Sequence, residues 1–448
     1  MEVLIQALQL ILSLSLLVAI HEFGHFAFAK IFGARVEKFY LFFDPWFSIF
    51  KFKKGETEYG MGWIPFGGYV KISGMIDESM DKEQLKQEPQ PYEFRSKPAW
   101  QRLLIMIGGV MMNLLLAIAI YAGISYTNGS VYVDNKDVTD GYYYSETAQK
   151  MGFRNGDKII NVGGEEISNY REIAMAILFN DVDFVEIERQ GIRQQITIDK
   201  TYFSELLSKD NFFLELRLPK AVVSSVLSGS PAEMAGLQEG DKIVAVDSVS
   251  FKYFDEFKDI INSKAGDTVL IAYQRNIDGT PTTIERQITI ASDSLIGFVP
   301  QVSMSVDENF YNITEINYTL LESIPQGLKL AFSQIDNYIK QLKLIFSPET
   351  QAYKSVGSVV SMGGMFSTSW DWLRFWSITA FLSVVLAIMN ILPIPALDGG
   401  HVLFLIYELV TRRKPSDKFM EYAQTAGMIL LFGLMFLALG NDIYKLFQ

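Results

Sequence analysis

The sequence predicts a multi-pass α-helical membrane protein of about four transmembrane helices, with a membrane-associated β-hairpin and two α+β domains built on one repeated pattern. Three observations carry this: long apolar segments towards both ends, basic residues gathered in two of the loops, and a motif that recurs after 84 residues in the region between. The chain has 448 residues, 49% of them hydrophobic, and a formal net charge of −12. That balance excludes a disordered chain and speaks against a nucleic-acid partner. With no cysteine in the chain, thiol catalysis, disulfides and cysteine-held zinc are excluded.

Segments 3–32, 103–126, 375–392 and 426–439 are apolar enough to span or nearly span a bilayer. The first is expected to be a retained helix rather than a cleaved signal, because no basic residue precedes it and no small-residue cleavage site follows. Pro393 ends the third. The fourth is short unless 422–425 or 442–447 extend it. Basic residues from Arg35 to Lys97, including Lys82 and Lys86, lie between the first two spans, and Arg412, Arg413, Lys414 and Lys418 lie between the last two. The positive-inside rule places both loops in the cytoplasm, and both chain ends and 127–374 on the other side.

In that large region Ala148-Gln-Lys-Met-Gly152-Phe153-Arg-Asn-Gly156-Asp157 returns as Ala232-Glu-Met-Ala-Gly236-Leu237-Gln-Glu-Gly240-Asp241, each followed by an apolar strand. Each copy predicts a short helix ending at glycine, a Gly-Asp turn and a buried strand. The pattern resembles the PDZ domain in its bacterial, circularly permuted form, which implies binding of extended peptide ends at a sheet edge. Residues 315–347 carry an apolar stripe at helical spacing, broken at Pro325, and predict a helix at the membrane surface or packed on the second repeat.

The chemistry begins at His21-Glu22-Phe23-Gly24-His25. Histidines four apart share one face of a helix and can chelate one metal ion, while Glu22 beside them can act as general base towards the attacking water. The motif interrupts an apolar span, where a charged residue costs about 2.5–3.5 kcal/mol and is retained for function. A catalytic zinc site takes a third protein ligand. Asn390-Ile-Leu-Pro393-Ile-Pro395-Ala-Leu-Asp398-Gly399-Gly400-His401 ends the third span with a proline-broken backbone, tolerated at membrane depth only where protein or a water-filled cavity surrounds it. Asp398 and His401 both qualify as that ligand. Gly108, Gly109 and Asn113 in the second span read as small-residue helix packing without catalytic weight.

HEFGH in a first span, the tandem repeats, and N-x-x-P-x-P-x-L-D-G-G in a later span together resemble the site-2 protease family of intramembrane metalloproteases, in its bacterial regulator-of-sigma-E branch. The resemblance implies Zn2+ held by His21, His25 and Asp398, with Glu22 as base and Asn390 helping to hold substrate; Pro393 and Pro395 belong to the same motif, and His401 is not implied as a ligand. It also implies a membrane-associated β-hairpin over residues 59–72, containing Gly67, Gly68 and Tyr69, and a strand edge exposed there could receive an unwound substrate segment. It further implies a bacterial inner-membrane enzyme, with its active site towards the cytoplasm and its PDZ-like region outside. Its substrates would be single-pass membrane proteins already trimmed outside, such as anti-sigma factor stubs or remnant signal peptides, the repeats filtering out bulky external domains. The expected division is 1–126, 127–220, 221–300, 301–371 and 372–448. A peptide-binding scaffold with a dead metal site would have lost a ligand or the base, and none is lost. A metal transporter would carry further polar residues across the bilayer, and the second and fourth spans offer almost none.

Overall fold

A computed structural model describes residues 2–75, 88–207, 212–218, 221–277, 279–291, 295–300, 311–347 and 357–446. Lys82 and Lys86, and 301–310 and 348–356 of the expected linker, lie outside the described residues. The chain forms two compact units, one of 1–130, 316–346 and 353–448, the other of 131–315 with 347–352.

The first unit is helical around a small sheet. Four of its helices are long and apolar enough to cross a membrane. They are α1 (Glu2–Ile31), α2 (Ala99–Asn128), α5 (Trp372–Ile391) and α7 (Asp417–Leu446). α2 starts after Pro98, which cannot continue a helix backwards, and stops at Gly129 with φ of 62°. α5 is capped by the Asp371 side chain, which accepts from Arg374 N, and ends before Pro393. α7 runs through both flanks of segment 426–439 and so reaches full length. It is held near its end by Asp442, which accepts from the backbone and hydroxyls of Ser358 and Ser361 at the start of a short helix, α4 (Val359–Gly363).

Two features knit the spans together. α1 and α2 cross at glycines, where a Cβ on Gly24 would lie 2.2 Å from the Gly108 carbonyl oxygen. Buried hydroxyls also bridge them to α5: Thr379 donates to Ser13 Oγ at 2.9 Å and Ser383 to the Asn113 carbonyl at 2.7 Å. The helix expected over 315–347 is α3 (Leu320–Phe346). Its apolar stripe, including Leu330, Ala331, Ile335 and Leu342, packs with Ala117 and Tyr121 of α2 and Val384 and Ile388 of α5. The sequence offered the membrane surface or the second repeat; α3 instead joins the helices of its own unit.

The sheet corrects the expected hairpin at 59–72. Strands β1 (Val36–Phe43), β2 (Phe50–Lys54), β3 (Thr57–Met61) and β4 (Ile64–Ile72) run in the order β2-β3-β1-β4. β3 and β4 are consecutive in sequence yet do not pair. β1 lies between them, parallel to β3 and antiparallel to β4. The link passes over the end of β1, where Gly62 N donates to the Leu41 carbonyl and Trp63 N to that of Phe43. A Cβ on Gly62 would meet the Phe43 carbonyl oxygen at 2.1 Å, so only glycine permits the crossing. The hairpin of this sheet is β2–β3, and β4 is an edge strand.

The second unit contains the repeat twice over in structure. Residues 146–150 and 231–234 form the two short helices, and 158–162 and 242–246 the strands after the Gly-Asp turns. In the first copy Arg189 grips buried Asp157 through Nε (2.7 Å) and Nη2 (2.6 Å) while donating to the Gly152 carbonyl at 2.8 Å. In the second, Arg275 grips buried Asp241 at 2.8 and 2.7 Å and donates to the Gly236 carbonyl at 2.8 Å. Arg217 connects the copies, donating to Asp255 and Glu256 with its guanidinium 3.8 Å over the Tyr253 ring.

Candidate metal centre

The HEFGH motif lies in the C-terminal half of α1, so His21 and His25 fall one helical turn apart on one buried face. Their ring centroids are 4.8 Å apart, and the Nε2 atoms 3.2 Å. Asp398 is the first residue of α6 (Asp398–Thr411), reached after the break at Pro393 and Pro395. The loop bends tightly: Ala396 holds φ of 87°, and a Cβ on Gly399 would lie 2.0 Å from the Leu392 carbonyl oxygen. That bend delivers Asp398 Oδ2 to 3.0 Å from His21 Nε2 and 3.3 Å from His25 Nε2.

The triangle tests whether zinc fits. With zinc–nitrogen and zinc–oxygen bonds of about 2.0–2.2 Å, ligands at two corners of a tetrahedron lie about 3.3 Å apart. The three edges here, 3.0, 3.2 and 3.3 Å, are of that size. The proton placement agrees. His25 Nδ1 lies 2.9 Å from the Ile105 carbonyl and must donate to it, which leaves a lone pair on Nε2. Asp398 Oδ2 is buried without a hydrogen-bond partner, facing His21 Nε2 and the lone pair of His25 Nε2. A cation satisfies all three atoms together. Among the described residues this trio is the one cluster of three or more His, Cys, Asp or Glu placed to hold a metal.

A cavity of about 450 Å³ opens on the trio and is lined also by Glu22, Gly68, Tyr69, Lys71 and His401. Glu22 therefore faces the same space as the triangle. β4 flanks it, since a Cβ on Gly68 would lie 3.6 Å from Glu22 Cγ. Tyr69 donates its hydroxyl to Asp44 at 2.9 Å, and burial together with that carboxylate raises its pKa, keeping the phenol protonated. Asn390, at the end of α5, has Nδ2 3.3 Å from His21 Nε2. Of the remaining residues singled out from sequence, Gly67 lies within β4 with φ of 128°, Pro393 and Pro395 lie in the loop before α6, and none of the three lines this cavity. His401 lines it one turn beyond Asp398 but contributes no atom to the triangle.

One stripe of α2, marked in the sequence only as small-residue helix packing, meets the site. Ile105, Gly109 and Asn113 recur every four residues and all meet the histidine pair. Ile105 takes the proton of His25, Gly109 packs flat against both rings, and Asn113 Nδ2 lies 3.2 Å from His21 Nδ1. A polar residue one turn from a glycine in an uncharged span was the available signal.

A model of peptidase family M50 matches residues 9–434 of the chain. A regulator of sigma E protease from Haemophilus influenzae is 30% identical, over 97% of this chain and 98% of its own length. The regulator of sigma-E protease RseP of Salmonella typhimurium is 27% identical, over 97% of this chain and 98% of its own. A provisionally named zinc metalloprotease from Clostridium perfringens is 27% identical, over 97% of each.

Proposed function

The chain belongs to peptidase family M50, and from that premise we propose that His21, His25 and Asp398 hold its zinc, with Glu22 as the general base. It is a zinc-dependent intramembrane protease. The observation that carries the assignment is the convergence of three lone-pair atoms within 3.3 Å of one another in a helical unit apolar enough to lie in a membrane.

Zinc bound there supplies a Lewis acid that polarises the scissile carbonyl and acidifies the attacking water. Glu22 accepts that water's proton and returns it to the departing amine. Asn390, beside the triangle, donates its amide to the substrate backbone. A transmembrane helix satisfies its own backbone, so it must unwind before it is cut. The free edge of β4, passing Gly68 and Tyr69 beside Glu22, receives the unwound segment as an added strand. Trp46, Phe47, Phe50 and Phe52 are exposed next to Lys51, Lys53 and Lys54. Aromatic rings with flanking lysines suit the boundary between headgroups and acyl chains, which supports a membrane-associated sheet.

The full-length likeness to regulators of sigma E protease supports placing the chain in a bacterial inner membrane, cleaving trimmed single-pass substrates such as anti-sigma factors or remnant signal peptides. The loop charges support an active site towards the cytoplasm. The duplicated helix, Gly-Asp turn and strand, with its duplicated arginine clamp, supports two PDZ-like domains over 127–220 and 221–300, between the membrane segments of 1–126 and, after the linker 301–371, of 372–448. Co-expression of the chain or its Glu22→Gln form with candidate substrates tests the reading. Membrane proteomes should retain transmembrane stubs with Glu22→Gln that vanish with the native chain; identical stub profiles would defeat it.

A further inference from the structure

We infer that Asn113 is a positioning residue for His21: its side-chain oxygen accepts from His21 Nδ1–H and so aims Nε2 at the metal position. The inference rests on the ligand set proposed above and adds to it a residue that contacts neither metal nor substrate.

The proton count leads to it. His21 Nε2 stands in the triangle, 3.2 Å from His25 Nε2 and 3.0 Å from Asp398 Oδ2, and can serve a cation only through its lone pair. The ring proton then sits on Nδ1. Facing Nδ1 at 3.2 Å is the Asn113 amide nitrogen, which sets one donor against another. Meanwhile Asn113 Oδ1 is buried and has no partner. Half a turn about the last side-chain torsion exchanges the two isosteric amide atoms, so that Oδ1 accepts from Nδ1–H at the same separation and donor no longer faces donor.

The surroundings are built for that contact. Asn113 is fully buried within α2, where an amide oxygen without a partner is costly. Its backbone carbonyl accepts from Ser383 at 2.7 Å, which ties this turn of α2 to α5. Ile105, two turns earlier on the same stripe, takes the Nδ1 proton of His25. α2 thus orients both imidazoles, one through a backbone carbonyl and the other through an amide oxygen. Such outer partners fix the tautomer and the ring angle of a ligand histidine.

The test uses the full chain in detergent, stripped of metal and titrated with Zn2+ against a fluorescent chelator. Asn113→Leu, similar in shape and unable to accept, should bind zinc about 10- to 100-fold more weakly. Asn113→Asp, whose carboxylate accepts the same proton, should bind as tightly as the native chain or more so, and should retain its Co2+ absorption bands. A native chain that binds no zinc would defeat the ligand set itself. A native chain that binds, with Asn113→Leu folded and equally tight, would defeat this inference alone. Should Asn113→Leu not fold, Asn113→Asp decides, since a donor role for Asn113 predicts a loss of about tenfold or more there and the acceptor role predicts none.

Discussion

Gly109 packs against His25 so closely that a Cβ placed on it would lie 2.6 Å from His25 Nε2, and equally 2.6 Å from His21 Cε1. No side chain fits between α2 and the histidine pair. Gly109→Ala should therefore displace the rings and reduce zinc binding at least tenfold. Gly123→Ala, on the same helix with nothing within 4 Å of the added carbon, should leave zinc content and melting temperature unchanged or raise the latter, since alanine favours helix over glycine. Equal zinc content in the two variants would show that the crossing tolerates a methyl.

The base can be separated from the ligands. Glu22 lines the cavity without forming an edge of the triangle, so Glu22→Gln should retain stoichiometric zinc. Cleavage should fall by about 10²–10⁴, the usual contribution of a positioned base, because an amide cannot take the water's proton. Elemental analysis beside a stub-cleavage assay reads both, and near-native turnover would remove Glu22 from the chemistry.

The third ligand has a competitor one turn away. Asp398→Ala should empty the site, because Oδ2 supplies two of the three edges of the triangle. His401→Ala should keep zinc bound, since the ring lines the cavity from outside that triangle. The reverse pattern of zinc content would exchange their roles.

How far the site was legible depends on how each contact is coded. His21 and His25 could be paired from spacing alone, because four residues make one helical turn and an apolar span makes the polar interruption conspicuous. Asp398 could not be separated from His401 by spacing. Both lie in the first turn of α6, and the choice came from resemblance; the bend at Ala396 that brings Asp398 forward leaves no periodic trace. Gly109 and Asn113 were legible only as packing, because their partners lie more than eighty residues away and one contact at this site, the Ile105 carbonyl, has no side-chain identity at all. The sheet shows a related limit. The resemblance implies a hairpin over 59–72, but nothing in the residues says which neighbour a strand pairs with, so the expected partner of 64–72 is β3 and the observed one is β1.

The arginine clamps predict local instability. Asp241 is fully buried, and Arg275 is the cation that meets both its oxygens. Arg275→Met keeps the apolar stem and leaves the carboxylate in the interior, which should cost about 3 kcal/mol, the low end for breaking a buried pair because the arginine is partly exposed. Hydrogen exchange should rise over 221–291 and remain unchanged over 142–198. Exchange that rises equally in both copies would mean that they unfold as one.

Sidedness is testable without background, because the chain has no cysteine. Gln90 is exposed in the loop before α2, and Glu239 is exposed at the Gly-Asp turn of the second repeat. Lysine and arginine are retained on the cytoplasmic side during insertion, and they are most closely spaced in the loops before α2 and between α6 and α7. Four crossings return both ends of the chain to the opposite face, so the assignments stand or fall together. A cysteine at Gln90 should react with a membrane-impermeant maleimide in inverted vesicles only, and one at Glu239 in outer-permeabilised cells only. Both variants should keep native zinc content, which separates a true topology result from misfolding. If Gln90→Cys reacts from outside and Glu239→Cys from inside, the whole orientation inverts, and the trimmed end of the substrate must be sought on the other face. If both react from one side, α2, the one span between them in sequence, does not cross.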